Sequence, residues 1–184
     1  MSPSRTAEKR ENFNPSDRKA WREWLSRNHS TSTGVWLTVR KKNTGEGGIM
    51  LEDAVEEAIC FGWIDSKLHV ADEKAYTLLF TPRKPGSIWA RTNKARVEKL
   101  IREGLMTPAG LAKVEAAKKD GSWNRLDAVE DLVAPEDLRK ALADESAEKG
   151  YEAFNDSVKK QILWWIASAK TPQTRLRRIR QAVA

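Results

Sequence analysis

The chain has 184 residues, 40% hydrophobic and 32% charged, and a formal charge of +7 at neutral pH, with a mean hydropathy of −0.65. That length suits one good core, or a main core with a helical appendage. No apolar run approaches the roughly 20 residues of a membrane helix, and a single cysteine excludes an internal disulfide and suits a reducing compartment.

Residues 1–12 are polar and aperiodic, which predicts a disordered tail and is unlike a secretory signal. Cytoplasm is therefore the expected location. Asn14-Pro15-Ser16-Asp17 offers a helix start, and Trp21, Trp24 and Leu25 share one apolar face of a helix ending at Asn28-His29-Ser30. Val35 to Arg40 alternates as a half-buried strand, followed by a glycine-bearing loop over 41–48. A helix is predicted from Leu51 to Phe61, with Leu51, Ala54, Val55, Ala58 and Ile59 as its buried stripe and Gly62 just past its end. Trp63–Val70 and Ala75–Thr81 read as an antiparallel hairpin turning at 71–74 and stopped by Pro82 and Pro85.

Ser87 is placed to cap a long helix reaching Glu103 and ended by Gly104. Thr107-Pro108 opens another helix, with Leu111 and Val114 facing inward and Asp120-Gly121 as its stop. Residues 124–134 read as a connector. Helices then follow from Pro135, through Tyr151 and Phe154, from Asn155-Asp156-Ser157 and from Thr171-Pro172. In the third of these, Val158, Ile162, Trp165, Ile166 and Ala169 form the expected apolar stripe, and Trp164 projects to the opposite side. The expected fold class is α+β: a small, mostly antiparallel sheet with packed helices, followed by an all-helical C-terminal region. The expected division is a tail at 1–12, an α+β domain at 13–123 and a helical region at 124–184.

The residues denser in chemistry than a fold requires lie between Glu57 and Asn93. Cys60 ends a helix beside Glu56 and Glu57, where both the helix dipole and the acids disfavour a thiolate, so it reads as a packing residue. Trp63 and Asp65 share one strand face, with Lys67 and His69 continuing it. Arg83-Lys84-Pro85-Gly86-Ser87 sets two cations before an expected helix N-terminus, the strongest anion-binding pattern in the chain, although it is not a Walker loop. Asn93 falls inside the apolar face formed by Trp89, Ala90, Val97, Leu100 and Ile101, where a buried amide needs partners. Trp63, Asp65, Arg83, Lys84, Ser87, Trp89 and Asn93 are thus the candidate ligand-binding set. No metal-ligand spacing and no cofactor motif stands out.

From Lys159 onward there are seven basic residues and no acid, so this segment carries the whole net charge. Arg175, Arg177 and Arg178 of the last helix are expected to point away from its packed residues Leu176, Ile179 and Val183, as a basic surface for phosphate, an anionic membrane or an acidic partner.

Several segments together resemble the YdeI/OmpD-associated family of bacterial bacteriocin-protection proteins. They include Gly34-Val35-Trp36-Leu37, Glu57-Ala58-Ile59-Cys60-Phe61-Gly62-Trp63-Ile64-Asp65, Phe80-Thr81-Pro82-Arg83-Lys84-Pro85 and Ser87-Ile88-Trp89 with Asn93. Gly104 to Gly110, Trp165 to Lys170 and Thr174 to Ile179 extend the resemblance, which runs from about Trp21 onward. It implies protection against bacteriocins or antimicrobial peptides, and its name includes association with an outer-membrane porin; it implies no reaction and no cofactor. Three functions are compatible with the residues. The first is a cytoplasmic protection protein binding a small anionic ligand or a protein partner at the candidate set. The second is an enzyme using Asp65 or Glu57 as a base beside Arg83. The third is weak nonspecific nucleic-acid binding through the basic C-terminal helices.

Overall fold

A computed structural model of the chain describes residues 10–41, 47–70 and 74–184. The tail expected over 1–9, and parts of the expected loop and turn at 42–46 and 71–73, lie outside the described residues. The chain divides into two compact units. The first runs to Ser87 and resumes over Thr92–Gly121; the second comprises Ile88–Arg91 and Ser122–Ala184.

The first unit contains a four-stranded sheet in the order β1-β2-β4-β3, built from β1 (Glu11–Phe13), β2 (Val35–Arg40), β3 (Trp63–Val70) and β4 (Ala75–Pro82). Only β1 runs parallel to its neighbour; the rest of the sheet is antiparallel. Strand β1 starts inside the expected tail. Its three residues carry no pattern of their own and are ordered by pairing with β2 and by Phe13, whose ring stacks on Trp24 at 5.9 Å. The inner row of the sheet is Val35, Leu37 and Val39 of β2, all fully buried, paired with Phe80, Leu78 and Tyr76 of β4.

Against that row pack α1 (Arg18–Asn28) and α2 (Leu51–Cys60). Asp17 caps α1 by accepting from the Ala20 N–H, and Trp21, fully buried, meets Phe80 at 5.5 Å. Helix α2 is buried more completely than its stripe predicts. Glu56 and Glu57 are each only 2% exposed, whereas Leu51, expected inside, is 42% exposed. After α2, Gly62 turns the chain with φ +74°, and a Cβ there would lie 2.6 Å from the Lys113 side chain.

Helices α3 (Arg91–Arg102) and α4 (Pro108–Lys119) complete this part of the chain. Helix α3 begins at Arg91, not at Ser87, because residues 87–90 take a non-helical course. Two expected inward residues, Ile101 of α3 and Leu111 of α4, are 48% and 39% exposed, while Val97, Leu100 and Val114 are buried.

The second unit is helical: α5 (Asp127–Glu130), α6 (Glu136–Asp144), α7 (Glu148–Ala153), α8 (Asp156–Ala167) and α9 (Pro172–Val183). The short α5 lies within the expected connector. The core is formed by Val129, Leu138, Leu142, Tyr151, Leu163, Ile166 and Ile179. In α8 the buried positions are Leu163 and Ile166, and Trp164 and Trp165 are both 38% exposed. The true packing face is thus rotated from the expected stripe, and Trp165 stands at its edge. The described fold is α+β, a small, mostly antiparallel sheet with packed helices followed by a helical C-terminal region.

Candidate functional site

Strand β3 positions the first candidates. Trp63 pairs with Pro82 and Asp65 with Phe80, so both lie on the inner face of the sheet. A β-bulge between Asp65 and Leu68 then inserts one extra residue, and Leu68, not Lys67 or His69, continues that row. His69 is carried to the opposite face, where its ring meets Trp36 at 4.4 Å. The bulge is held by the Ser66 hydroxyl, which donates to the Leu79 carbonyl.

Trp63 is 1% exposed; its ring meets Trp24 edge-on at 5.8 Å and its N–H donates to the His29 carbonyl at 3.2 Å. Both its apolar face and its polar handle are spent on packing α1 against β3. Trp89 belongs to the second unit, where its ring lies 5.1 Å from Trp123. The expected hollow lined by both indoles is therefore not formed within the first unit.

Asp65 and Arg83 of that unit interact electrostatically. Arg83 follows β4, fixed by its N–H donating to the Gly62 carbonyl, and is 2% exposed. Burial pushes its guanidinium down to about 10, against the pull of the Asp65 carboxylate, so it remains charged at neutral pH. Asn93, half-buried rather than enclosed, accepts from Arg96 at 2.9 Å. Arg96 in turn forks onto Glu52 of α2 at 2.8 and 2.9 Å. Its guanidinium is raised by that Glu52 bond, with burial opposing and Asp65 among the anions adding to the rise. Asn93, Arg96 and Glu52 thus form one hydrogen-bonded network, while Asp65 acts electrostatically on both Arg96 and Arg83; Arg96 is the member that sequence reasoning missed. Its spacing of three from Asn93 was the available signal.

The Arg83–Ser87 turn is organised differently from the expectation. Lys84 is exposed, and Ser87 closes the turn by donating its N–H to the Lys84 carbonyl rather than capping a helix. The Gly86 N–H donates to a carboxylate oxygen of Asp120 at 3.1 Å. In the second unit, the Arg91 N–H that opens α3 faces both oxygens of Glu130, at 3.1 and 3.2 Å. The backbone donors of Gly86 and Arg91 therefore hold carboxylates of the protein itself.

A second ionic cluster joins α1, α2 and α3. Glu57 accepts from Arg18 and Arg22, each at 2.6 Å; Glu56 meets Arg18 at 3.1 Å and Lys99 at 2.6 Å. Arg22 also donates to the Leu105 carbonyl. Cys60, fully buried nearby, has its thiol pushed up to about 11 by burial and by Glu57, with Arg22 opposing. Among the described residues no group of His, Cys, Asp and Glu is disposed to hold a metal ion, and no helix is long and apolar enough to cross a membrane.

In the basic segment, Arg175 forks onto Asp137 at 2.6 and 2.9 Å. Arg178 stacks over the Trp165 ring at 5.4 Å and donates to the Trp165 carbonyl and the Ser168 hydroxyl, covering the end of α8. Arg177 alone of the three is exposed, the other two being half-buried. The expectation that all three point away fails because α6 and the end of α8 supply acceptors for Arg175 and Arg178.

The fold and its sites define a two-part protein, a sheet unit braced by buried ion pairs and a five-helix unit with a basic flank. Residues 13–113, more than half of the chain, match the family described as a domain of unknown function, DUF8412. The chain belongs to that family. Residues 131–184 match the family described as bacteriocin-protection, YdeI or OmpD-associated. The resemblance drawn from Trp21 onward thus has its family match in the helical region. No curated protein and no solved structure matches the chain.

Proposed function

We propose that this chain is a bacteriocin-protection protein that works by binding, in the bacterial cytoplasm, and that its sheet unit takes a small anionic ligand at the Arg83–Ser87 turn. The family match over 131–184 supports the protective role. The observation that carries the ligand class is the Asp120 carboxylate on the Gly86 N–H, a bond that already uses this turn to hold an anion. Asp120 is exposed, as is Lys84, and the buried Arg83 guanidinium begins the same turn. A phosphate-bearing ligand carries more charge than one carboxylate and displaces Asp120 from Gly86.

Glu57 suits a structural role better than that of a general base, because Arg18 and Arg22 occupy both of its oxygens. The local engagement of Arg175 and Arg178 likewise weakens the reading as a nucleic-acid binder. Thermal-shift measurement against a panel of phosphate-bearing metabolites tests the ligand; stabilisation that disappears in Lys84→Ala is expected, and the absence of any shift contradicts it. Survival of a deletion strain under bacteriocin challenge, with and without the restored gene, tests the protective role.

A further inference from the structure

The second unit carries a groove of about 500 Å³ between α6 and α9. Its apolar floor includes Ala141, Leu176, Ile179 and Val183. Ile179 belongs to the core, but Leu176, one turn earlier, is 51% exposed. Positions 172, 176, 179 and 183 fall on one face of α9, so the groove is a helical stripe left partly uncovered. Its two banks differ in charge. At the end of α6, Asp144 and Glu145 are exposed and meet no basic side chain among the described residues, while Lys140 on the same bank is paired with Glu136; on α9, Arg180 lines the groove and meets no acid among the described residues. Arg175 and Asp137, by contrast, neutralise each other.

We infer that this groove is the contact face of a homodimer, in which Leu176 of each copy enters the other's groove and Arg180 of each faces the partner's acidic bank of α6. The charges select this occupant. A two-fold axis through the groove turns an acidic bank and a basic bank into two identical complementary contacts, whereas a partner of one charge sign would be repelled by one bank. Helices of 9 and 12 residues span about 14 and 18 Å. A face this small sits below the roughly 1,200 Å² of a standard interface, so the dimer is weak and its population rises with concentration.

Sedimentation velocity of the full chain over about 1–500 μM, the range suited to a small interface, tests this. Reversible dimerisation is expected. Leu176→Asp should abolish it, and both Arg180→Glu and the double variant Asp144→Lys/Glu145→Lys should weaken it about tenfold or more, by setting like charges face to face. These positions are exposed, and unchanged circular dichroism melting will show that each variant is folded. Mixing the two charge variants should restore a dimer, because each 180 position then again faces opposite charge. A chain that stays monomeric throughout, or a dimer indifferent to these substitutions, overturns the inference.

Discussion

Arg18 and Glu57 meet at 2.6 Å, joining α1 to a helix two of whose four acids, Glu56 and Glu57, are almost fully buried. Arg22 completes the grip on Glu57 from the next turn of α1. A buried carboxylate is tolerated only because these guanidiniums and Lys99 surround the pair. Glu57→Ala is expected to destabilise the chain by about 2–4 kcal/mol, because Arg22 loses its carboxylate while only a third exposed and Arg18 is left with Asp53 and Glu56 alone. Urea unfolding measures the loss; a change under 0.5 kcal/mol, the range of ordinary surface substitutions, would contradict it.

Gly110 lets α4 lie directly on the end of α2. A Cβ at this position would stand 2.2 Å from the Cys60 carbonyl oxygen and 2.8 Å from that of Ile59. Backbone cannot swing aside as a side chain can, so Gly110→Ala forces the helices apart. A cost of about 3 kcal/mol or more is expected, read as a lower unfolding midpoint. The Thr107 hydroxyl, which donates to the same Cys60 carbonyl at 2.6 Å, should lose that bond in the variant.

The Cys60 thiol adds a pH dependence. Its ordinary value of 9.0 is pushed up to about 11 in the folded chain. Below pH 9 both states hold the proton and the full stabilisation is present. Between those values the unfolded chain releases its proton first, so stability falls as pH rises through the window. The decline attributable to Cys60 is about 3 kcal/mol, read as the difference between the native chain and Cys60→Ala. Parallel stability–pH curves for the two proteins across this range would contradict the assignment.

In the second unit, Tyr151 is 6% exposed and its buried hydroxyl has no hydrogen-bond partner among the described residues. Its ring is well used, packing in the core with Lys159 above it at 5.7 Å. Removing only the hydroxyl keeps the packing and ends the desolvation penalty. Tyr151→Phe should therefore stabilise this unit by about 1 kcal/mol. Loss of stability in a thermal melt would show that the hydroxyl has a compensating bond.

Much of this fold was legible where a residue pattern and a burial pattern coincide. Val35, Leu37 and Val39 alternate in sequence and line the inner row of the sheet; Thr107 and Asn155 cap the helices they precede. The misreadings arise where a distant partner decides. Strand β1 exists through pairing with β2, and the bulge that moves His69 away from Asp65 is a property of the β3–β4 register. Trp63 and Trp89 look alike in sequence, yet one packs on Trp24 and the other on Trp123. Asp120, at the end of α4, lies 34 positions from Gly86, and nothing in local spacing announces that contact.

That contact offers the most direct test of the account. If the turn is an anion site held by an internal carboxylate, removing the carboxylate frees the Gly86 donor and lifts a competing charge. Calorimetric titration of the native chain and Asp120→Ala with a phosphate-bearing metabolite selected by thermal shift should show tighter binding to the variant, by about tenfold, the worth of one charge-assisted hydrogen bond. Equal or weaker binding to Asp120→Ala, or binding to neither protein, would contradict the assignment of this turn as the ligand site.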